Sequence, residues 1–296
     1  MSATAATPAA PRKKVTIGAL RSMKAKGIPA SYITAYDYPT ACFAEAAGID
    51  MILVGDSGGM TMLGYKNTLP VTMDEMLHFT KAVCRGAKTA FVVGDMPFMS
   101  YQTSNEVAQI NAGRLIAEAG CDCVKLEGGR KMAERVRAIA DAGIAVMGHI
   151  GLTPQSLSAA GGYRVYGKTR AEFESILEDA LALEQAGASF VLLEAIPEEP
   201  AGYVRDALKV PVYGIGAGRR VDGQLLILHD MIGAFVGDIA PKFAKRSANV
   251  GQVVTQALTE YVRDVKGGQF PAAEHLYPIE PDEAAKIRAY LEQRTK

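Results

Sequence analysis

Five short apolar runs in this sequence end on polar residues that are costly to bury. Asp56 and Ser57 follow 51–55, Asp95 follows 90–94, Lys125 and Glu127 lie inside 123–127, His149 ends 145–149, and Glu194 ends 190–194. A lone carboxylate after a strand has a plain use as a helix N-cap. Five such ends on one face would be different, because buried charges need partners or a metal. Asp56, Asp95 and Glu127 offer three carboxylates from three neighbouring runs. Oxygen-only ligands select a hard cation, and a few carboxylates that leave other positions to water and substrate describe Mg²⁺. There is no His/Cys cluster of the kind that holds structural zinc. Lys125 and Glu127, two apart on a strand, point to the same side of the sheet. An interior Lys125 needs an anion beside it, either a substrate carboxylate or Glu127 in a plain ion pair. Glu194 sits in Phe190-Val191-Leu192-Leu193-Glu194-Ala195-Ile196-Pro197, apolar surroundings that disfavour its charge and suit it to general-base work. His149 can donate to substrate or simply satisfy the rim of the fold, and the residues alone do not choose.

The elements that must position these groups repeat along the chain. Apolar, β-branched runs bounded by Gly or Pro predict strands at 31–36, 51–55, 90–94, 123–127, 145–149, 190–194, 212–215 and 234–237. They are continuous rather than alternating, as in a parallel sheet covered on both faces. Thr72-Met73-Asp74-Glu75, Thr103-Ser104-Asn105-Glu106 and Thr169-Arg170-Ala171-Glu172 have the form of capping boxes. Apolar residues follow at helical spacing: Met76, Phe79 and Val83; Val107, Ile110 and Leu115; Phe173, Ile176, Leu177 and Leu181. Ala-Gly pairs at 47–48, 119–120, 142–143 and 186–187 predict left-handed helix ends before the next strand. Eight strand–helix units in about 250 residues predict an α/β fold, a single-domain (β/α)₈ TIM barrel, whose chemistry collects at the C-terminal strand ends. An open doubly wound sheet is the alternative. Gly214-Ile215-Gly216-Ala217-Gly218 resembles its nucleotide fingerprint but follows the seventh strand, so a loop passing close to a ligand or to its neighbours is the plainer reading.

The expected layout is an N-terminal tail at 1–14, a barrel at 15–275 and a helical extension at 276–296 with Ile287, Tyr290 and Leu291 on one face. That face would pack on the barrel or on a partner subunit. Thirty-two basic residues balance thirty-two acidic ones, so no global field draws nucleic acid or an anionic membrane. No apolar stretch is long enough to span a bilayer, and the tail lacks the core of a secretory signal. Cys42, Cys84, Cys121 and Cys123 form no C-x-x-C pair. Reduced, mostly buried thiols are expected, in a reducing cytoplasm, with Cys121 and Cys123 pointing the same way along one strand.

These residues, with their neighbours, resemble the ketopantoate hydroxymethyltransferase family. The matching segments include Val54-Gly55-Asp56-Ser57, Thr68-Leu69-Pro70-Val71-Thr72, Asp95-Met96-Pro97-Phe98, Val124-Lys125-Leu126-Glu127-Gly128-Gly129, Gly148-His149-Ile150-Gly151-Leu152-Thr153-Pro154-Gln155 and Pro241-Lys242-Phe243, in family order from about residue 15 to 275. Two departures stand out: Gly58-Gly59 where the family often has Leu-Gly, and Ala195 where a Cys is common. The resemblance implies Mg²⁺ on Asp56 and Asp95 with Glu127 beside them, and an oxo acid held by Ser57 and Lys125. It also implies Glu194 as the base. The implied reaction carries a hydroxymethyl group from 5,10-methylenetetrahydrofolate to 3-methyl-2-oxobutanoate through a Mg²⁺-stabilised enolate, forming 2-dehydropantoate on the way to pantothenate. A homo-oligomer, typically a decamer, is implied as well. Related Mg²⁺ barrels acting on 2-oxo acids or phosphoenolpyruvate are the rival enzyme class. A barrel kept only for binding would be expected to have lost one of the acidic or basic groups above.

Overall fold

The computed structural model describes residues 12–234 and 241–294. Eight parallel strands close into a barrel in sequence order: β1 (Ala30–Thr34), β2 (Met51–Val54), β3 (Phe91–Asp95), β4 (Cys123–Glu127), β5 (Val146–Gly151), β6 (Phe190–Glu194), β7 (Val212–Ile215) and β8 (Gly223–Leu226), with β8 pairing back onto β1. Seven strands fall on the expected runs. The eighth does not: Ala234 belongs to no strand, and the rest of 234–237 lies outside the described residues. Gly223-Gln224-Leu225-Leu226 closes the barrel without a β-branched residue. Gln224 stays exposed beside its register partner Ser31, so the run lacks the apolar continuity that marks the others.

Alternation along each strand sorts the core into two sets. Tyr32, Met51, Leu53, Phe91, Val93, Cys123, Met147, Phe190, Leu192 and Tyr213 fill the interior. Ile33, Ile52, Val54, Val92, Val124, Val146, Val191 and Val212 face the surrounding helices. Val15 and Leu20, the latter on helix Ile17–Ala25, join the interior set and plug the end where the strands begin. Cys121 and Cys123 therefore do not point the same way. Cys121 precedes β4, in the turn after the left-handed Gly120, and packs outside, whereas Cys123 packs inside. All four thiols are free.

The helices follow their predicted ends closely. Thr72 caps Met73–Gly86 in a true capping box, its Oγ1 accepting from Glu75 N–H at 3.2 Å while Glu75 Oε2 accepts from Thr72 N–H at 2.7 Å. At Asn105–Arg114 the cap is Ser104 rather than Thr103. The buried stripe there runs through Ala108, Ala112 and Leu115, leaving Ile110 63% exposed. The Ala-Gly glycines take the left-handed form, Gly48 at φ 77° and Gly120 at φ 82°. Of the N-terminal segment, residues 1–11 lie outside the described part. Arg12 pairs with Asp50 at 2.8 Å and Lys14 with Asp122 at 2.6 Å.

The chain forms two compact units, Met1–Ala248, which holds the barrel, and Asn249–Lys296. The second contains helices Val250–Lys266 and Pro281–Arg294, and Ile287, Tyr290 and Leu291 are exposed on the latter. Among the described residues no helix is long and apolar enough to cross a membrane.

Candidate active site

The strand parity that sends Phe91 and Val93 inward also sends Asp95 inward. The same parity carries Cys123 to Lys125 and Glu127, Met147 to His149, and Phe190 and Leu192 to Glu194. All stand at the C-terminal ends of their strands, with Asp56 just beyond β2. Asp56, Asp95, Lys125, Glu127 and His149 are each at most 5% exposed.

They form a closed ring of contacts. Asp56 N–H donates to Asp95 Oδ2 at 3.2 Å, and Asp95 Oδ1 lies 2.8 Å from Lys125 Nζ. Lys125 Nζ is 3.4 Å from His149 Nδ1, which is 3.5 Å from Glu127 Oε1. Gln155 closes the circuit, its N–H donating to Glu127 Oε2 and its Nε2 to Asp56 Oδ2, both at 2.9 Å. Glu194 joins from β6, its Oε2 3.1 Å from His149 Nε2. Ser57 stands at the edge, Oγ 2.8 Å from the Tyr36 hydroxyl.

The partner of Lys125 is thus Asp95, not Glu127. Asp95 and Lys125 are directly opposite in the register of β3 and β4. Adjacent strands lie about 4.8 Å apart, while residues two apart on one strand are separated by roughly 6.6 Å. His149 likewise takes a place that neither sequence reading specified, bridging two carboxylates.

Electrostatics set the protonation states. Burial and the Lys125 ammonium push His149 down, but its contacts with Glu127 and Glu194 outweigh them and lift the imidazole to about 9. Burial likewise opposes the Lys125 charge, yet Asp95, Glu127 and Asp56 hold it well above the ordinary ammonium value. Asp56 is driven far up by burial and then by the negative charges of Asp95 and Glu127, and burial raises Asp95 too. So four carboxyl groups are gathered around one ammonium and one imidazole, which is why the two aspartates are pushed toward their neutral forms.

Asp95 Oδ1 is buried against the Lys125 ammonium at 2.8 Å, while Asp95 Oδ2 accepts from Asp56 N–H. Among the described residues no three His, Cys, Asp or Glu side chains are drawn together as a complete ligand set. Two adjacent aspartates on neighbouring strand ends, both pushed up by burial and mutual repulsion, suit a hard dication that keeps water or substrate in most of its positions.

Two contributors were not singled out in advance. Gln155 also donates from Nε2 to Met96 O at 2.9 Å and accepts from the Tyr101 hydroxyl at 2.7 Å. Tyr101 in turn accepts from Glu127 N–H at 3.0 Å. Gln155 lay in plain view at the end of the Gly148–Gln155 segment, where Pro154 opens a short 3₁₀ turn and fixes its direction. Nothing in the spacing around Tyr101 marked it.

Comparison with known proteins decides the family. Residues 14–273 match the profile of ketopantoate hydroxymethyltransferase. A 3-methyl-2-oxobutanoate hydroxymethyltransferase from Moorella thermoacetica (strain ATCC 39073 / JCM 9320) is 52% identical over 268 residues, covering 90% of this chain and 99% of that one. Its counterpart from Carboxydothermus hydrogenoformans (strain ATCC BAA-161 / DSM 6008 / Z-2901) is 48% identical over 274 residues, covering 93% and 99%. The chain belongs to the ketopantoate hydroxymethyltransferase family. Among solved structures the barrel resembles a phosphonopyruvate hydrolase (TM-score 0.59, 14% identity, 94% of this chain and 96% of that one). It also resembles a 2,3-dimethylmalate lyase of the PEP mutase/isocitrate lyase superfamily (TM-score 0.55, 15% identity, 93% and 98%). At those identities the likeness is one of fold.

Within this hydroxymethyltransferase the departure at Ala195 falls on a strained residue. Ala195 takes φ 52°, uncommon for a residue with a Cβ. It is held there because its N–H donates to Ile215 O at 3.0 Å and its carbonyl accepts from Tyr166 N–H at 2.9 Å. The backbone of Glu194 is pinned as well, its carbonyl accepting from Leu152 N–H at 2.9 Å. The glycine-rich loop 214–218 proves to be close to neighbours. A Cβ on Gly218 would stand 2.4 Å from Glu198 Cβ, and one on Gly216 would stand 2.6 Å from the Phe243 ring.

Proposed function

We propose that the chain transfers a hydroxymethyl group to C3 of 3-methyl-2-oxobutanoate, with 5,10-methylenetetrahydrofolate as donor and Mg²⁺ held by Asp56 and Asp95 with Glu127 beside them. The observation that carries this reading is the placement of Glu194 at the end of β6, across the barrel from Asp56 beyond β2 and linked to the ring of acidic groups through His149. When bound, Mg²⁺ supplies Lewis-acid polarisation of the keto oxygen.

The protein's own groups do the rest. Ser57 and Lys125 hold the carboxylate end of the oxo acid. Glu194, oriented by His149, takes the C3 proton and leaves an enolate. One water hydrolyses the donor's methylene bridge, so that both C–N bonds break, the water's two protons end on the two nitrogens, and tetrahydrofolate is released. C3 of the enolate then adds to the carbonyl carbon of the formaldehyde-level unit so formed, and the resulting alkoxide takes back the proton held by Glu194, giving 2-dehydropantoate. The packed interior below the ring, with Phe91, Phe190 and Tyr213 in edge and tilted contact, keeps bulk water from reaching the enolate from beneath.

The test is proton exchange. With Mg²⁺ and no folate, the protein should exchange the C3 proton of 3-methyl-2-oxobutanoate with deuterated water. Glu194→Gln should lower that rate by about 10²–10⁴-fold while the oxo acid still binds. Exchange at the wild-type rate would remove Glu194 from this role.

A further inference from the structure

Ser57, just beyond β2, is half-buried, and Tyr36, just beyond β1, is 1% exposed. Their hydroxyls lie 2.8 Å apart. The steps above use Ser57 and leave Tyr36 without a part. We propose that Tyr36 is a positioning residue: lodged in a slot that Gly58 leaves open, its hydroxyl fixes the direction in which Ser57 meets the oxo-acid carboxylate, an inference that rests on the reaction proposed above.

A Cβ on Gly58 would stand 2.8 Å from Tyr36 Cδ1 and 3.1 Å from Phe79 Cε2. The Tyr36 ring therefore rests directly on the backbone of the short helix Gly58–Thr61, and a side chain at position 58 would push it off. Phe79 meets the same ring edge-on at 6.2 Å between centroids, and His229 lies tilted against it at 5.6 Å. A ring held on three sides in a close-packed interior has one place for its hydroxyl. Gly58 is also one of the two departures from the family pattern noted in the sequence.

The serine is aimed by the same contact. Leu53 points into the barrel, and strand alternation would send a Gly55 side chain the same way. Ser57 Oγ has folded into that space, 2.8 Å from where a Gly55 Cβ would be, so its hydroxyl looks into the mouth. A serine side chain has three staggered wells, and the bond to Tyr36 selects one of them. Burial pushes the Tyr36 phenol up to about 12, so it keeps its proton and can give it to Ser57. The proton of Ser57 is then free for a carboxylate oxygen. Thr61 donates to the Ser57 carbonyl at 3.2 Å, holding the backbone as the phenol holds the side chain. A hydroxyl fixed before the ligand arrives loses little further freedom on binding. Tyr36 has almost no accessible surface, so it reaches a ligand through Ser57 alone.

The experiment is equilibrium titration of the Mg²⁺-loaded enzyme with 3-methyl-2-oxobutanoate, alongside C3 exchange at varied oxo acid. Tyr36→Phe keeps the ring and removes the hydroxyl. Its oxo-acid Kd and exchange KM should rise about fivefold, more than the saturated exchange rate falls. Gly58→Ala, with both hydroxyls intact, should raise them by a similar factor. Ser57→Ala should raise Kd about tenfold, and adding Tyr36→Phe to it should weaken binding no further. Tyr36→Phe enzyme with wild-type Kd and KM overturns the positioning role. Losses that add in the double variant overturn it too, since a tyrosine that merely supports the fold would give them. Wild-type Kd in Ser57→Ala overturns the serine contact and the role of Tyr36 with it. Wild-type enzyme that neither binds the oxo acid nor exchanges its C3 proton overturns the proposed reaction, and this role along with it.

Discussion

His149 holds its Nε2 3.1 Å from Glu194 Oε2 at the mouth of the barrel, the imidazole buried and the carboxyl partly open to solvent. A carboxylate that must meet a C–H proton has to be aimed, because that bond offers no strong hydrogen bond to guide it. On the role proposed for Glu194, the imidazole does the aiming, with Glu127 Oε1 3.5 Å from its other nitrogen. His149→Ala should therefore slow C3 exchange by roughly 10²-fold, the scale of a small misplacement of a reacting group. The KM for the oxo acid should move far less. A deuterium-exchange time course on wild type and variant checks this, and a fall in oxo-acid affinity alone would make His149 a substrate ligand instead.

Cation affinity should depend on pH in a defined direction. Burial, then the charges of Asp95 and Glu127, hold the Asp56 carboxyl far above the ordinary range, and burial raises Asp95. A raised acid retains its proton to higher pH, and Mg²⁺ must displace that proton to bind. Affinity should thus increase with pH and weaken on acidification well before ordinary carboxylates titrate. Calorimetric Mg²⁺ titrations at several pH values below neutrality, with release of protons measured in buffers of different ionisation heat, check the sign. Asp95→Ala should remove most of the binding and weaken the dependence without abolishing it, because burial and Glu127 still raise Asp56.

Gln155 satisfies Asp56 Oδ2 and Met96 O with one amide nitrogen and accepts the Tyr101 hydroxyl. Gln155→Leu leaves all three buried groups without that partner. The expected cost is about 2–3 kcal/mol of stability, with weakened Mg²⁺ affinity because Asp56 loses its orientation. Thermal melts with and without Mg²⁺ separate the two effects. A variant with full affinity and full stability would show the amide to be a bystander.

The architecture was legible because five strands announce themselves twice, as an apolar run and as a polar residue at or just past its end, while β1 and β7 announce themselves as apolar runs. β8 announces itself neither way: Gln224 faces out to solvent, and no charged group ends the strand. The acidic residues of the site were legible because Asp56, Asp95 and Glu127 interrupt runs that are otherwise apolar. Their pairing was not, since Asp95 meets Lys125 through strand register, a long-range property that adjacent residues do not encode. Tyr101 was hidden for a similar reason. It lies in an irregular loop, and its partners Glu127 and Gln155 are brought to it only by barrel closure.

At the opposite end of the barrel, Asp222 anchors three elements. It is 4% exposed, and it lies 2.8 Å from both Lys24 Nζ and Arg205 Nε and accepts from Val212 N–H at 2.9 Å. Asp222→Ala takes a carboxylate from two cations, leaving Arg205 to Asp206 at 3.1 Å and Lys24 to the Arg205 carbonyl at 3.1 Å, and strips the Val212 backbone donor of its side-chain acceptor. The expected loss is about 3 kcal/mol, a Tm lower by roughly 6–12 °C for a chain of this size. Below the lowered Tm, C3 exchange should continue, because no site residue touches this network. Calorimetry paired with the exchange assay tests both halves.

Gly151 shows how tightly β5 and β6 are fitted beside Glu194. It sits at φ 95°, and a Cβ there would fall 2.3 Å from the carbonyl oxygen of Glu194 and 3.0 Å from Ile196 Cδ1. The left-handed conformation alone costs a residue with a side chain about 1–2 kcal/mol. The larger consequence is steric, since a carbonyl cannot rotate aside as a side-chain tip can, and this carbonyl is already bonded to Leu152 N–H. Gly151→Ala must therefore move the backbone of Glu194 itself. We expect exchange to fall at least as far as in His149→Ala while the barrel still melts cooperatively. Wild-type exchange in that variant would mean that the position of Glu194 along β6 is not what limits proton removal.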